Sequence, residues 1–230
     1  MIRHVAIVVP ANDEQARVGA CLTALHRAAA HLAAHAVRPI GVRVVVALDA
    51  CSDGTAAVVA RFPEVSTVIR DVRCVGAARA AGTDAALSGF DDLHAVWTAH
   101  TDADSEVPAD WLTRMVVAAD EGVDLVLGTV VPSEGLPWPI RRTWHALNSA
   151  ADGHRHVHGA NLGIRAMTLV AVGGWRPLST GEDVDLAGRA AAARVPIRRT
   201  GAIAVRTSAR ADGRAPKGFS SYLRTLAATV

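Results

Sequence analysis

This sequence has little cysteine, almost no lysine and no long apolar run. The cysteines, Cys21, Cys51 and Cys74, are odd in number and no two share a CxxC spacing. That excludes a disulfide framework and a zinc–cysteine signature, and it points to a reducing, cytoplasmic setting. No apolar run approaches the ~18 residues that cross a bilayer, and no signal-peptide hydrophobic region precedes the first strand-like run, so a soluble protein is expected. Lysine occurs once, at Lys217, among 24 basic residues. With so much alanine beside it, the arginine bias reads as a GC-rich coding composition and not as a binding device. The formal net charge of +2 gives no argument for nucleic acid. Pro10 to Val18 contains neither glycine nor lysine.

What is present fits one domain. Half of the 230 residues are hydrophobic, enough for a substantial core. Residues 1–137 carry 10 basic and 17 acidic side chains, and residues 138–230 carry 14 and 5. A basic C-terminal part beside an acidic site suits an anionic ligand or simple solvation.

The pattern alternates strand and helix. His4–Val9 reads as a buried strand stopped by Pro10, followed by a long helix capped by Asn12 or Asp13. Strands are expected at Val42–Leu48, Val65–Arg70, 95–99 and Asp124–Val130, with a short helix after Thr55, a helix over Val75–Leu87 and another after Pro108. This rhythm predicts an α/β fold, a predominantly parallel sheet with helices on both faces. Residues 132–160 break it and predict a loop-and-helix insertion. Helices near 166–172, 183–194 and 218–228 and a strand near 202–207 complete the chain. A nucleotide-binding half (1–130) and an acceptor-side half (131–230) within one domain are the expected organisation.

The most informative motif is Thr101-Asp102-Ala103-Asp104, directly after an apolar strand. Acidic oxygens are thereby set at the carboxyl edge of the sheet, where open α/β folds bind ligands. Such hard oxygens suit Mg²⁺ or Mn²⁺ bridging to phosphates; the plain alternative is two solvated turn aspartates. Asp49 ends an earlier strand and can accept hydrogen bonds from a base or a ribose. Pro10, Asn12 and Glu14 end the first strand and either line a nucleoside pocket or cap a helix. Gly76 permits close backbone approach at a helix start, and Arg79 can reach a phosphate; the spacing to Gly82 is not GxGxxG. Glu182 and Asp183 open a late helix with Asp185. Three acids in four residues exceed what capping requires, and Asp183 can accept a proton from a hydroxyl. His154, His156 and His158 alternate, yet no Cys or His set nearby completes a zinc site, so His158 fits an acceptor pocket better. Trp138, Trp144 and Trp175 either stack on sugars or fill the core. Arg210, Arg214 and Lys217 sit in a glycine- and proline-bearing stretch that suits a phosphate lid.

In order, the chain shows Val9-Pro10-Ala11-Asn12-Asp13-Glu14, Asp49 with Asp53-Gly54-Thr55, Gly76 to Gly82 and Asp102-Ala103-Asp104. Gly159-Ala160-Asn161-Leu162-Gly163-Ile164-Arg165 and Gly181-Glu182-Asp183-Val184-Asp185-Leu186 follow. This set resembles the family 2 glycosyltransferases of the GT-A fold over nearly the whole chain. The resemblance implies inverting transfer of one sugar from a nucleoside diphosphate sugar, UDP- or GDP-linked, to a small-molecule acceptor. It implies Asp49 at the base, Asp102 and Asp104 at the ribose and the metal–diphosphate, and Asp183 as general base. Gly159, Ala160 and Asn161 become a loop near the sugar or acceptor. Three departures stand out. Leu48-Asp49-Ala50-Cys51-Ser52 replaces the family's common Asp-Asp-Gly-Ser, no Gln-x-x-Arg-Trp follows Glu182-Asp183, and no histidine follows His158 as a third metal ligand. The second argues for a non-processive hexosyltransferase. A homodimer is left open. Two rivals are a sugar-phosphate nucleotidyltransferase, whose Gly-rich, Lys-bearing first loop is missing, and a non-catalytic nucleotide-sugar-binding module.

Overall fold

The computed structural model describes residues 1–133, 135–148, 151–210 and 219–227. β1 (His4–Ala11) is covered on both sides: Val5, Ile7 and Val9 enter one apolar cluster, while Ala6 and Val8 enter another. A strand sealed on both faces carries a continuous apolar run, as parallel strands do. β2 (Gly41–Asp49) and β4 (Val96–His100) flank β1 in parallel, and β3 (Val65–Arg70) lies outside β2. α1 (Val18–His35), the short α2 (Thr55–Val59) and α4 (Trp111–Asp120) bury Leu22, Leu25, Val59, Trp111 and Met115 against one face; α3 (Val75–Leu87) and the short α6 (Ala166–Ala171) cover the other.

Past β4 the sheet turns mixed. β7 (Leu162–Arg165) runs antiparallel to both β4 and β6 (Leu125–Pro132). β8 (Ile197–Thr207) pairs parallel with β6, and the two-residue β5 (Ser105–Glu106) pairs antiparallel with β8. The order is β3-β2-β1-β4-β7-β6-β8-β5, with four parallel pairings against three antiparallel. The expected α/β sheet, predominantly parallel and clad on both faces, is what forms. The 132–160 insertion contains α5 (Trp138–Leu147), whose Trp144 packs with Leu223 and Leu226 of α8 (Phe219–Ala227). α7 (Glu182–Ala192) buries Leu186, Ala187 and Ala190 against β6 and β7.

One expectation is corrected at α1. The helix starts at Val18 after Arg17, with no side-chain cap. Asn12 and Asp13 instead reach across to the loop after β2. Asn12 Nδ2 donates to the Asp49 and Ala50 carbonyls (2.7 and 3.1 Å), and the Asp13 carboxylate accepts from the Ser52 and Asp53 backbone N–H groups (2.6 and 3.2 Å). Among the described residues no helix is long and apolar enough to cross a membrane.

Candidate active site

β1, β2 and β4 all end at one edge, and their terminal loops enclose a cavity of about 520 Å³ lined by Pro10, Asn12, Glu14, Asp49, Asp102 and Asp104. Placement at the carboxyl ends of neighbouring parallel strands is the usual ligand position of such sheets. The Asp102–Asp104 turn is tied down on both sides. Ser105 N donates to the Asp102 carbonyl (3.0 Å) and Ser208 N to that of Asp104 (3.1 Å), while the buried Cys21 thiol lies 3.3 Å from the Asp102 carbonyl. Ala103 is packed into the core beneath, which leaves the two carboxylates as the turn's chemistry. Burial, then repulsion from Asp102, pushes the Asp104 carboxyl up to about 7. A divalent cation beside this pair relieves that strain, and the hard oxygens match Mg²⁺ or Mn²⁺, which commonly completes its shell with water and phosphate oxygens. Among the described residues no group of three or more His, Cys, Asp or Glu side chains is arranged to hold a metal, so water and ligand would supply the remainder.

Asp49 lines this cavity, but its oxygens already work. Oδ1 accepts from Val72 N and Arg73 N (2.8 and 3.1 Å) and Oδ2 from Cys74 N (2.8 Å). It thereby holds the loop that enters α3 and keeps only part of its accepting capacity for a ligand. Arg210 also lines the cavity and forks onto Glu14: Nη1 donates to Oε2 (2.7 Å) and Nη2 to Oε1, with Nη2 also 3.2 Å from Asp104 Oδ2. Of the expected phosphate lid, Arg210 is thus at the site, and Arg214 and Lys217 lie outside the described residues.

Arg79 corrects the sequence reading. It is 1% exposed and is held chiefly by protein carboxylates. Its Nη2 donates to Asp102 Oδ1 (2.5 Å) and its Nε to Glu182 Oε1 (3.1 Å), and the guanidinium lies 5.2 Å from the Trp175 ring. Burial raises the Glu182 carboxyl while Arg79 opposes the shift. Glu182 is therefore the anchor of Arg79 and not a ligand of the first cavity. Gly76 is corrected as well: an added Cβ would overlap the Arg176 carbonyl and lie 2.8 Å from Leu178 N. Its lack of a side chain admits the 176–178 backbone, not a ligand.

A second cavity, about 590 Å³, adjoins the first and shares Val75, Asp102, Thr207 and Phe219 with it. Asp183, on the first turn of α7, lines it. Gly181, at φ 74° in the left-handed region, ends the preceding loop and launches that helix. Gly159 N donates to Asp183 Oδ2 (2.7 Å) and Val184 N to Oδ1 (2.8 Å). A Cβ on Gly159 would lie 2.5 Å from Arg79 Nη2, so glycine lets Asp183 and Arg79 share one loop. His158 lines the cavity too; burial, with His156 and His154 nearby, pushes its imidazole down to about 4. The three histidines form a stack in an irregular segment and no strand, with ring centroids 5.6 and 5.8 Å apart.

Ala160 lines this cavity, but Asn161 does not. Fully buried, Asn161 accepts from Trp111 Nε1 (2.9 Å) and donates to the Thr129 and Ile203 carbonyls (2.7 and 3.0 Å). It bridges β6 and β8 where their register slips, and Gly128 leaves room for it. Its expected place in a sugar or acceptor loop is therefore withdrawn. Trp144 and Trp175 are core residues, and Trp138 is exposed away from both cavities.

The model of Glycosyl transferase family 2 matches residues 6–172. The chain belongs to that family. No curated protein matches it. Among solved structures, this family 2 chain is similar to the mannosyltransferase PcManGT from Pyrobaculum calidifontis in complex with GDP-Man and Mn²⁺. That likeness has a TM-score of 0.62 at 18% identity and covers 98% of this chain and 61% of that one. S. aureus TarS 1–349 in complex with UDP gives a TM-score of 0.62 at 14% identity, covering 91% and 61%. Mycobacterium tuberculosis glucosyl-3-phosphoglycerate synthase, with Mn²⁺, UDP and phosphoglyceric acid, gives 0.56 at 15%, covering 86% and 68%. The chain thus spans about three fifths of the first two, and at these identities the likeness establishes the GT-A fold.

Within this family 2 chain, sequence reasoning missed Phe219 and Tyr222, which wall the second cavity from α8, and Ser179 and Thr180, which reach one cavity each. Ser179-Thr180-Gly181 carried a signal, as a polar run before three acids. Phe219 and Tyr222 carried none, because only tertiary packing brings α8 to this edge.

Proposed function

We propose that this glycosyltransferase moves a single hexosyl unit, with inversion, from a UDP- or GDP-linked sugar to the hydroxyl of a small acceptor. The carrying observation is that Asp183, pinned through both oxygens by backbone N–H groups, borders a second cavity that meets the nucleotide-sized first one at Asp102. A carboxylate held from behind and open in front suits a general base acting in one displacement step. In this reading residues 1–130 bind the nucleotide and residues 131–230 supply the acceptor side. Pro10, Asn12 and Asp49 border the nucleoside, and Asp102 and Asp104 hold Mg²⁺ or Mn²⁺. That ion, when bound, neutralises the departing diphosphate. Arg210, released from Glu14, pairs with phosphate oxygens. Three unpaired thiols support a cytoplasmic setting.

The test combines thermal shift with turnover. A UDP- or GDP-sugar should raise the melting temperature only with Mn²⁺ present. Asp104→Asn should abolish that shift. Asp183→Asn should keep it and cut nucleotide release by roughly 10²–10⁴-fold, the usual worth of a general base. Manganese-dependent binding without turnover in the unmutated chain would instead mark a binding module. Pyrophosphate release from a nucleoside triphosphate would mark a nucleotidyltransferase.

A further inference from the structure

Resting on the glycosyltransferase reading, we infer that the acceptor is an uncharged alcohol with an apolar body, seated in the cavity beside Asp183. Four elements bring apolar side chains to that cavity: Val130 from β6, Val157 before the Gly159–Asn161 turn, Val184 beside Asp183, and Phe219 and Tyr222 from α8. About 590 Å³ accommodates a ring system together with the transferred sugar. Phe219 and Tyr222 offer faces on which a ring can stack.

Its charges disfavour an anion. Among the described residues the cavity presents three carboxylates, Asp102, Glu182 and Asp183, and one arginine. That arginine is Arg79, which is buried with its Nε and Nη2 engaged by Glu182 and Asp102. His158 is held neutral by its surroundings. A phosphorylated or carboxylated acceptor would enter a negative field and lose its hydration, and among the described residues lining the cavity no cation other than Arg79 stands ready to receive it. Several arginines of the basic C-terminal part, which by composition suited an anionic ligand, are paired with carboxylates outside this cavity. Arg165 pairs with Asp124, Arg176 and Arg189 with Asp185, Arg198 with Glu121 and Arg210 with Glu14. Tyr222 Oη accepts from Asn148 Nδ2 (2.9 Å), which leaves its own O–H to donate to an acceptor oxygen.

The experiment compares two acceptors differing in one group, phenyl β-glucoside and phenyl β-glucuronide, with the donor that shifts the melting temperature. Nucleotide release is followed with and without each acceptor, and product by mass spectrometry. The glucoside should be turned over with a kcat/KM at least about tenfold above the glucuronide, a difference of about 1.4 kcal/mol. Val184→Arg, at a position 58% exposed and therefore tolerant of a longer side chain, should shrink that ratio about tenfold or reverse it. Equal or faster turnover of the glucuronide overturns the inference, and so does a ratio unmoved by Val184→Arg. If no donor is cleaved at all, the transferase reading fails, and ligand-observed NMR still decides this point. Saturation transfer to the phenyl protons of the glucoside, lost in Val184→Arg, sustains an uncharged-ligand cavity; stronger transfer to the glucuronide overturns it.

Discussion

Replacing Arg79 by methionine keeps the hydrophobic stem of the side chain and removes the guanidinium on which Asp102 and Glu182 close. The two carboxylates do not suffer equally. The Glu182 side chain is 7% exposed, whereas that of Asp102 is 37% exposed and water can screen it. Breaking a buried pair by removing one partner costs about 3–5 kcal/mol because the other charge is left uncompensated. Burial already raises the Glu182 carboxyl, so in the variant it takes up a proton and caps the loss near the lower end. About 3 kcal/mol is therefore expected, mostly from Glu182, or roughly 6–12 °C in melting temperature for a chain of this size.

The assay is a double-mutant cycle of Arg79→Met, Glu182→Gln and the pair, by urea and thermal unfolding at pH 7. Glu182→Gln in the Arg79→Met background should recover about 1–3 kcal/mol, since it removes the cost of protonating that buried carboxyl at pH 7. A positioning role has its own signature: Arg79→Met loosens Asp102 and should weaken manganese-dependent binding of the donor, whereas Glu182→Gln alone should weaken it less. Additivity within about 0.5 kcal/mol would refute the coupling. Undiminished donor affinity in Arg79→Met would refute the claim that Arg79 sets Asp102.

Two further outcomes follow from buried side chains. Asn161→Ala orphans Trp111 Nε1 and two strand carbonyls, and should cost about 3 kcal/mol or more while leaving the donor dissociation constant within about twofold; a large loss of donor affinity at unchanged stability would restore Asn161 to the site. His158 has a folded pKa near 4, below its unfolded value of about 6.5, so the unfolded chain binds the extra proton and the stability it confers is lost as pH falls from about 6.5 toward 4. By pH 4.5 the unmutated chain should have lost about 2.5 kcal/mol, or 5–10 °C, relative to His158→Gln. Parallel melting curves between pH 7 and 4.5 would show that His158 is not desolvated.

Local signals carried much of the fold. β3 and α3 fall where the sequence set them, at Val65–Arg70 and Val75–Leu87, because breakers and apolar periodicity act over a few residues. β5 and β7, at two and four residues, are too short to show any period and are defined only by partners far along the chain. α1 illustrates the same limit. Asn12 and Asp13 are good caps by type, but the loop after β2 offers them backbone groups some 40 residues away, and those partners won.

The site divides along the same line. Asp102, Asp104 and Asp183 could be placed at the cavity edge from the sequence because each follows a strand or starts a helix. Arg79 and Gly76 were read as ligand-facing because their residue types permit it, and Asn161 because the family resemblance implied it, yet each points inward to hold another segment. Residue type reports what a group can bind, whereas burial decides whether a ligand or the protein itself claims it. In this edge the second outcome serves the first. Arg79 joins the carboxylate of one cavity to the helix start of the other, and Gly159 joins that helix start to the loop packed on Arg79. A displacement of α7 should therefore reach Asp102 through Arg79, so that the proposed acceptor and donor sites would both be set by one buried guanidinium.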